Sequence, residues 1–285
     1  LEQGDTILAP GPHYPPYMAY PQMYGAKTVE YALDSDQGWD IDTDDIRRKM
    51  NDTVKFIVIV NPNNPTGNVA KPSTIMEVLS IAKDWPNCTI IADEIYDALD
   101  FSGDQRSVAS LSDEVPVVTL NGVSKVHFAP GWRIGYMAFF DPKRTLQAPR
   151  DGAERILRSR LCASTPAQYG YLAGLNHDRL WLKERLRTIE RRVDLCMNRI
   201  EGIEGLSCNK PGGAFYLFPK IDNPSKYGSD KKFVLDLLHE EHVLVVHGSG
   251  FSPRYGSGHF RLVALAPEDL LNEAFDRIDR FVRSR

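Results

Sequence analysis

The chain has 285 residues, of which 42% are hydrophobic and 25% charged, so it can bury a sizeable core and form one large domain and a smaller one. Its formal net charge of −4 gives no electrostatic footprint for nucleic acid, and we expect no such partner. No apolar run is long enough to span a bilayer, so we expect no membrane partner either.

The four cysteines are far apart and have neither the spacing of a disulfide framework nor that of a metal site. We therefore expect free thiols, no bound metal, and a reducing compartment, the cytoplasm. The chain opens at Leu1 rather than at methionine, and Leu1–Asp5 lacks the basic start and apolar core of a signal peptide. Because a predicted strand follows almost at once, we expect that a natural N-terminal part is missing.

From Thr6 to Phe140, short apolar or β-branched runs alternate with amphipathic stretches, which predicts a mostly parallel sheet covered by helices, an α/β fold. The predicted strands are Thr6–Ala9, Lys27–Leu33, Phe56–Val60, Thr89–Ala92, Val117–Leu120 and Ile134–Phe140. The predicted helices of this part include Asp42–Met50 and Ser73–Trp85. Together they define a large domain over residues 1–177.

Apolar residues at spacings of three and four predict a long helix over Asp178–Ile200, which would bridge two domains. Beyond Gly205, short strands mixed with helices predict a smaller α+β domain over residues 201–285. Its predicted strands are Ala214–Phe218, Val243–His247 and Phe260–Ala264, and its predicted helices are Lys231–Glu241 and Glu268–Val282. The segment Gly212–Ala214 is expected to open the first of these strands.

Polar, turn-rich segments follow three of the predicted strands. They are Asn61–Gly67, Asp93–Asp97 and Asn121–Lys125, and Arg133 comes eight residues after the lysine. Ligands of open α/β sheets bind outside the carboxyl ends of strands. Each segment alone is consistent with a structural loop or a helix cap, but together they offer an amide, a carboxylate, a phenol, a lysine, a hydroxyl and an arginine. Those are the groups that a phosphorylated pyridine aldehyde requires.

The order of these motifs resembles that of class I/II, fold-type I, pyridoxal-phosphate-dependent aminotransferases. The motifs are Asn-Pro-x-Asn-Pro-Thr-Gly, Asp-Glu-x-Tyr, Ser-Lys, Gly-x-Arg and a late arginine. Within that family, the stretch Arg160–Gln168 is similar to microbial alanine (glutamate–pyruvate) aminotransferases. The resemblance implies pyridoxal 5′-phosphate as cofactor and transfer of an amino group between an L-amino acid and a 2-oxo acid, with alanine and 2-oxoglutarate the expected pair.

The resemblance also implies three catalytic residues. Lys125 would carry the cofactor as a Schiff base and, once displaced, would move the proton at the substrate Cα. Asp93 would pair with the protonated ring nitrogen and so favour the electron-accepting form of the ring. Tyr96, together with Asn64, would hydrogen-bond the ring phenolate oxygen.

The remaining cofactor contacts are implied in the same way. Tyr14 would stack on one face of the ring, with Ile95 on the other, and Tyr17 competes with Tyr14 for the stacking position. Ser124 and Arg133 would bind the phosphate through charge-assisted hydrogen bonds. Many relatives have a second hydroxyl three residues before the lysine. Here that position is Gly122, which offers none.

Substrate contacts complete the expected site. Arg261, together with Asn64, would bind the substrate α-carboxylate. The aspartate-specific branch has an arginine for the second carboxylate at a position where this chain has Tyr171. This departure argues against aspartate as the donor and agrees with alanine.

Two alternatives stay open from the sequence. Another fold-type I activity, such as an aromatic aminotransferase or a carbon–sulfur lyase, could use the same lysine, aspartate and arginine. An aminotransferase-like domain of a transcriptional regulator is possible if a DNA-binding module precedes it. The resemblance further implies a homodimer, because active sites of the family lie at a subunit interface.

Overall fold

The computed structural model describes residues 1–178 and 180–285. Within these residues, seven strands form one sheet in the order β3-β2-β1-β4-β5-β6-β7. All neighbouring strands are parallel except for β3 against β2 and β7 against β6. The strands are β1 (Thr6–Gly11), β2 (Lys27–Asp34), β3 (Asp40–Ile41), β4 (Val54–Val60), β5 (Thr89–Asp93), β6 (Val117–Gly122) and β7 (Gly135–Phe140).

The central strands of this sheet are buried, which explains their composition. β4 reads Val-Lys-Phe-Ile-Val-Ile-Val, and the side chains of Ile57–Val60 are all buried. A parallel strand covered on both faces carries a continuous apolar run rather than an alternating one. All six strands predicted in this part are present, and only the two-residue edge strand β3 escaped prediction.

Five helices accompany the sheet along the chain: α1 (Pro16–Met23), α2 (Thr43–Lys49), α3 (Pro72–Lys83), α4 (Gln147–Arg160) and α5 (Thr165–Asn176). Asp42 caps α2, because its carboxylate accepts a hydrogen bond from the backbone N–H of Asp45 at 2.8 Å. α3 packs Ile75, Val78 and Leu79 into the core beneath the sheet. By contrast, α4 has no buried residue.

The long predicted helix is α6 (Leu180–Glu201), and position 179 of the predicted range lies outside the described residues. Its apolar face packs on the last helix in a second core. Val193, Cys196 and Ile200 of α6 share that core with Phe275 and Ile278. The remaining helices are α7 (Asp230–Glu241) and α8 (Glu268–Arg283).

The strands of the C-terminal part are shorter than predicted. They are β8 (Leu206–Ser207), β9 (Tyr216–Leu217), β10 (Lys220–Ile221), β11 (Val246–His247) and β12 (Phe260–Val263), and β11, β12 and β9 form a three-stranded antiparallel sheet. The prediction that Gly212–Ala214 opens a strand of this sheet is wrong. Ala214 has a φ of +57° and donates its N–H to the carbonyl of Leu99 at 2.7 Å, so the backbone leaves the extended conformation there.

In the part of the chain that the structure describes, no helix combines the length and apolar character needed to cross a membrane.

Candidate active site

A cavity of about 440 Å³ opens at the carboxyl ends of β4, β5 and β6, which are neighbours in the sheet. The structure brings all the site residues predicted from the sequence into its wall: Tyr14, Asn64, Asp93, Ile95, Tyr96, Ser124, Lys125, Arg133 and Arg261. Tyr216 also borders the cavity and had not been predicted. The volume lies within the range of about 300–1,000 Å³ that is usual for small-molecule sites.

The Asn61–Gly67 loop presents Asn64 to the cavity. Side chains within the loop fix its shape, since the Asn63 amide oxygen accepts a hydrogen bond from the Thr66 hydroxyl at 2.9 Å. The carbonyl of Gly67 accepts the backbone N–H groups of Gly212 and Gly213, both at 3.0 Å. Gly67 has a φ of +69°, and a Cβ atom there would lie 2.5 Å from the Cβ of Pro211. The loop is therefore held from both sides, by β4 and by the segment before β9.

Asp93 ends β5 with its carboxylate in the cavity wall. The hydroxyl of Tyr17 donates to Oδ2 at 2.6 Å, and the backbone N–H of Ile95 donates to Oδ1 at 3.3 Å. Burial raises the pKa of Asp93, whereas these hydrogen bonds and the charge of Lys125 oppose the rise. A cation placed beside the carboxylate would stabilise its charged form further.

Tyr14 and Tyr17, the two candidates for stacking, have different surroundings. Tyr14 borders the cavity with 47% of its surface exposed, and the Tyr17 ring lies edge-on to it at 6.5 Å. Tyr17 contacts Asp93 instead, and burial raises the pKa of its hydroxyl, which therefore stays a hydrogen-bond donor. No local sequence pattern indicates this contact, because it joins residues 76 positions apart.

Lys125 lies in the turn that follows β6, next to Ser124. Its Nζ lies 5.8 Å from the centroid of the Tyr96 ring and 5.9 Å from that of Phe215, so the amine is flanked by aromatic surface. Arg133 reaches the same cavity with a backbone φ of +53° and donates from Nη1 to the carbonyl of Pro130 at 2.6 Å.

Gly122 has a steric explanation. It pairs with Gly135 in the β6–β7 ladder, and a Cβ atom at position 122 would lie 2.8 Å from the carbonyl oxygen of Ile134. No side chain fits there without movement of the backbone. A side chain with a hydroxyl is therefore disfavoured at this position by the close approach of the backbone at Ile134 and Gly135.

Arg261 reaches the cavity from β12. Its Nη1 donates to the amide oxygen of Asn64 at 2.8 Å, and its guanidinium carbon lies 4.7 Å from the ring centroids of both Tyr216 and Phe251. Its Nε is buried and has no hydrogen-bond partner among the described residues. Tyr216 in turn places its hydroxyl 2.9 Å from that of Tyr96.

These groups match the chemistry of pyridoxal phosphate. The cavity wall offers an amine for an aldehyde, a carboxylate for a ring nitrogen, and a guanidinium with a hydroxyl for a phosphate. The unpartnered Nε of Arg261 leaves hydrogen-bonding capacity for a further anion. Among the residues that the structure describes, no group of three or more His, Cys, Asp or Glu side chains is placed to hold a metal ion.

The sequence model of the aminotransferase class I and II family matches residues 1–278. The chain therefore belongs to the class I and II aminotransferases, which are pyridoxal-phosphate-dependent enzymes. This confirms the family and the cofactor that the motifs had suggested.

Two relatives and one solved structure show which aminotransferases this chain is similar to. The glutamate-pyruvate aminotransferase AlaA of Haemophilus influenzae is 39% identical over 99% of this chain and 70% of its own length. An alanine aminotransferase of Mycobacterium tuberculosis is 34% identical over the whole of this chain and 67% of its own length. The solved structure of an alanine aminotransferase from Pyrococcus furiosus is 48% identical and superposes with a TM-score of 0.96, covering 100% of this chain and 72% of that one. The superposition confirms the predicted fold.

Proposed function

We propose that this aminotransferase exchanges the amino group between L-alanine and 2-oxoglutarate, with the site residues in the roles set out below. The observation that carries the proposal is the convergence of the nine predicted side chains on one cavity, in a chain whose relatives carry the names alanine or glutamate-pyruvate aminotransferase. Tyr171 is buried in α5, packed edge-on against His127, and is not part of the cavity wall. It supplies no cation for a side-chain carboxylate, which argues against aspartate as the donor and agrees with alanine.

When bound, pyridoxal phosphate supplies an electron-accepting ring that makes the substrate Cα–H bond acidic. Lys125 is the attachment point for the aldehyde and the base that takes and returns the Cα proton. Its amine borders the cavity, 5.8 Å from the ring centroid of Tyr96 and 5.9 Å from that of Phe215. Asp93 holds the ring nitrogen in its protonated form, and Tyr17 and Ile95 orient the carboxylate for that contact.

The other residues of the cavity wall bind and orient the cofactor and the substrate. Asn64 and Tyr96 donate hydrogen bonds to the phenolate oxygen, and Tyr14 and Ile95 cover the two ring faces. Ser124 and Arg133 hold the phosphate. Arg261 grips the substrate α-carboxylate, and Asn64, which already accepts from Arg261, limits the directions that the guanidinium can take.

A spectrum of the purified protein with pyridoxal phosphate, before and after addition of alanine, tests this proposal. We expect the absorbance of lysine-bound cofactor to give way to that of pyridoxamine phosphate, and 2-oxoglutarate to restore it. Phenylalanine and cystathionine serve as matched comparisons. Faster conversion by phenylalanine would identify an aromatic aminotransferase, and pyruvate with ammonia from cystathionine would identify a lyase; either would overturn the proposed substrate.

We also propose a homodimer located in the cytoplasm. Support for the dimer comes from apolar side chains on α4, on α5 and in the connection between them, which are exposed in the single chain: Ile156, Leu157, Leu161, Tyr169 and Leu172. Groups of exposed large apolar side chains on neighbouring elements are typical of interaction sites. The cytoplasmic location is supported by the four cysteines, all of which are free thiols. Light scattering and cell fractionation test the two statements separately.

A further inference from the structure

Tyr216 contacts two parts of the site that serve different ligands. Its hydroxyl lies 2.9 Å from the hydroxyl of Tyr96, the proposed donor to the cofactor phenolate. Its ring centroid lies 4.7 Å from the guanidinium carbon of Arg261, which is proposed to bind the substrate carboxylate. One buried side chain thus touches both subsites.

The hydroxyl contact restricts the direction in which Tyr96 donates. Each phenol has one hydrogen, and either oxygen of this pair can be the acceptor. If Tyr216 donates to Tyr96, the hydrogen of Tyr96 is free to point at an acceptor in the cavity. An anionic phenolate oxygen selects this arrangement, because the opposite one would leave it without that donor. Burial raises the pKa of Tyr96, so its hydroxyl stays protonated.

The ring contact restricts Arg261. Tyr216 and Phe251 each hold a ring centroid 4.7 Å from the guanidinium carbon. A planar cation in contact with two rings cannot turn its plane without disturbing both contacts. Only the edges of the guanidinium are open for hydrogen bonds, and Asn64 occupies one of them.

The backbone fixes Tyr216 relative to Arg261. β9 pairs with β12, with Tyr216 opposite Val263 and Leu217 opposite Leu262, so the two side chains project from adjacent strands. The N–H of Ala264 donates to the carbonyl of Phe215 at 2.9 Å and extends the ladder. Tyr216 is therefore rigid enough to orient its neighbours.

We propose that Tyr216 is a positioning residue that couples the two subsites, its hydroxyl directing Tyr96 toward the cofactor and its ring holding Arg261 for the substrate carboxylate. This inference rests on the proposed roles of Tyr96 and Arg261. It gives the aromatic pair Tyr216 and Phe251 a shared positioning role on Arg261.

The two contacts can be separated by substitution. Tyr216→Phe removes the hydroxyl and keeps the ring on Arg261. Phe251→Leu is the matched control, because it removes the other ring that contacts Arg261 and leaves the pair of hydroxyls intact. Tyr216→Leu removes both contacts. Thermal melting of each variant without cofactor establishes that the fold persists.

The first readout is the pH titration of the visible absorbance of the cofactor-loaded enzyme. Donation by Tyr96 makes the phenolate oxygen a weaker acceptor for the proton on the Lys125 nitrogen. A hydroxyl that accepts a hydrogen bond is a stronger donor, so loss of the Tyr216 hydroxyl weakens the donation by Tyr96. Tyr216→Phe should therefore move the titration midpoint upward, by up to about half a pH unit. Phe251→Leu should leave the midpoint in place.

The second readout is KM for alanine. Tyr216→Phe should change it by less than about twofold, whereas Phe251→Leu should raise it about tenfold through the loss of one ring contact on the cation. Tyr216→Leu should show both effects. An unmoved midpoint in Tyr216→Phe, or an equal shift in Phe251→Leu, would overturn the coupling.

Failure of the proposed function itself gives a different result. In that case the wild-type protein does not convert its cofactor with alanine, or Arg261→Leu leaves KM for alanine unchanged. If the wild-type protein converts its cofactor with alanine and Arg261→Leu raises KM for alanine, the Tyr216 variants test the coupling alone.

Discussion

At the scale of single residues, Lys125 and Asp93 occupy neighbouring strand ends with different electrostatic surroundings. The Lys125 amine faces aromatic rings, whereas the Asp93 carboxylate accepts hydrogen bonds from Tyr17 and Ile95. The pKa of Asp93 is nevertheless raised, because burial outweighs these contacts. A carboxylate held in this way is destabilised as an anion until a cation arrives.

Lys125 is expected to be the residue that carries the cofactor. Borohydride reduction of the loaded enzyme, followed by digestion and mass spectrometry, should place the adduct on the peptide that contains Lys125. Lys125→Ala should yield no stable adduct and lose nearly all turnover, since both the attachment point and the base are gone. An adduct on another lysine in the wild-type enzyme would contradict the assignment.

Asp93→Asn should raise the stability of the cofactor-free protein and lower its activity. A raised pKa means that the folded state, without cofactor, binds protons more tightly than the unfolded state, so stability falls as pH rises from 3.8 through the folded pKa. Asparagine has no charge to bury. The cofactor-free variant should therefore melt at a higher temperature than wild type at neutral pH, with the difference vanishing in acid.

The same variant should lose most of its transaminase activity, because the neutral amide does not hold the ring nitrogen protonated. Melting curves of both proteins without cofactor, from acid to neutral pH, check the first statement, and turnover with alanine checks the second. A wild-type protein that gains stability relative to Asp93→Asn as pH rises would show that the carboxylate is already well compensated.

At the scale of elements, the close approach of the backbone at Ile134 to β6 decides which side chain position 122 can carry. Gly122→Ser would supply a hydroxyl that the glycine lacks. However, its Cβ would lie 2.8 Å from the backbone oxygen of Ile134. We expect a destabilisation of about 1–3 kcal/mol, the usual range for overpacking, and weaker cofactor binding.

The matched control is Gly202→Ala just after α6, where the added Cβ would make only ordinary van der Waals contact, 3.5 Å from the carbonyl oxygen of Arg199. This change should be close to neutral, because nothing has to move. Urea unfolding gives the free-energy changes, and titration with pyridoxal phosphate gives the affinity. A Gly122→Ser enzyme that binds the cofactor more tightly would show that the strands part easily.

The sequence predicted the sheet better than the C-terminal strands, for a physical reason. Buried parallel strands such as β4 and β5 carry continuous apolar runs that are visible locally. The predicted strand Ala214–Phe218 is also apolar, but Ala214 pairs with Leu99 instead of continuing a ladder. Local composition cannot reveal such a distant partner.

The same limit applies to the site. Residues at strand ends, such as Asn64, Asp93 and Lys125, could be placed because a sheet edge gathers them. Tyr17 and Tyr216 were missed as partners because their contacts span 76 and 120 residues. Motifs therefore predict which groups line a cavity, but not which neighbours orient those groups.

At the scale of the whole molecule, the exposed apolar side chains of α4 and α5 support assembly. Leu157→Glu or Leu172→Glu should convert the proposed dimer to a monomer, since both side chains are more than half exposed and a charge in an apolar interface is strongly unfavourable. Leu270→Glu on α8 is the control, because that side chain is also more than half exposed and lies on a different helix.

Light scattering at several concentrations measures the mass of each variant. The Leu157 and Leu172 variants should have half the mass of wild type, and the Leu270 variant should match it. A monomeric wild-type protein, or unchanged mass in both interface variants, would remove the dimer from the proposal.

The hydrogen bond from Arg261 to Asn64 joins residues 197 positions apart, and the loop that carries Asn64 is also fixed by Gly212 and Gly213. During translation, Lys125 and Asp93 leave the ribosome well before these partners. Contacts between such distant residues form late, because closing long loops is entropically unfavourable. We therefore expect that a nascent chain arrested before Arg261 leaves alanine unconverted. The enzyme would then acquire its activity toward alanine only after nearly all of this chain has been made.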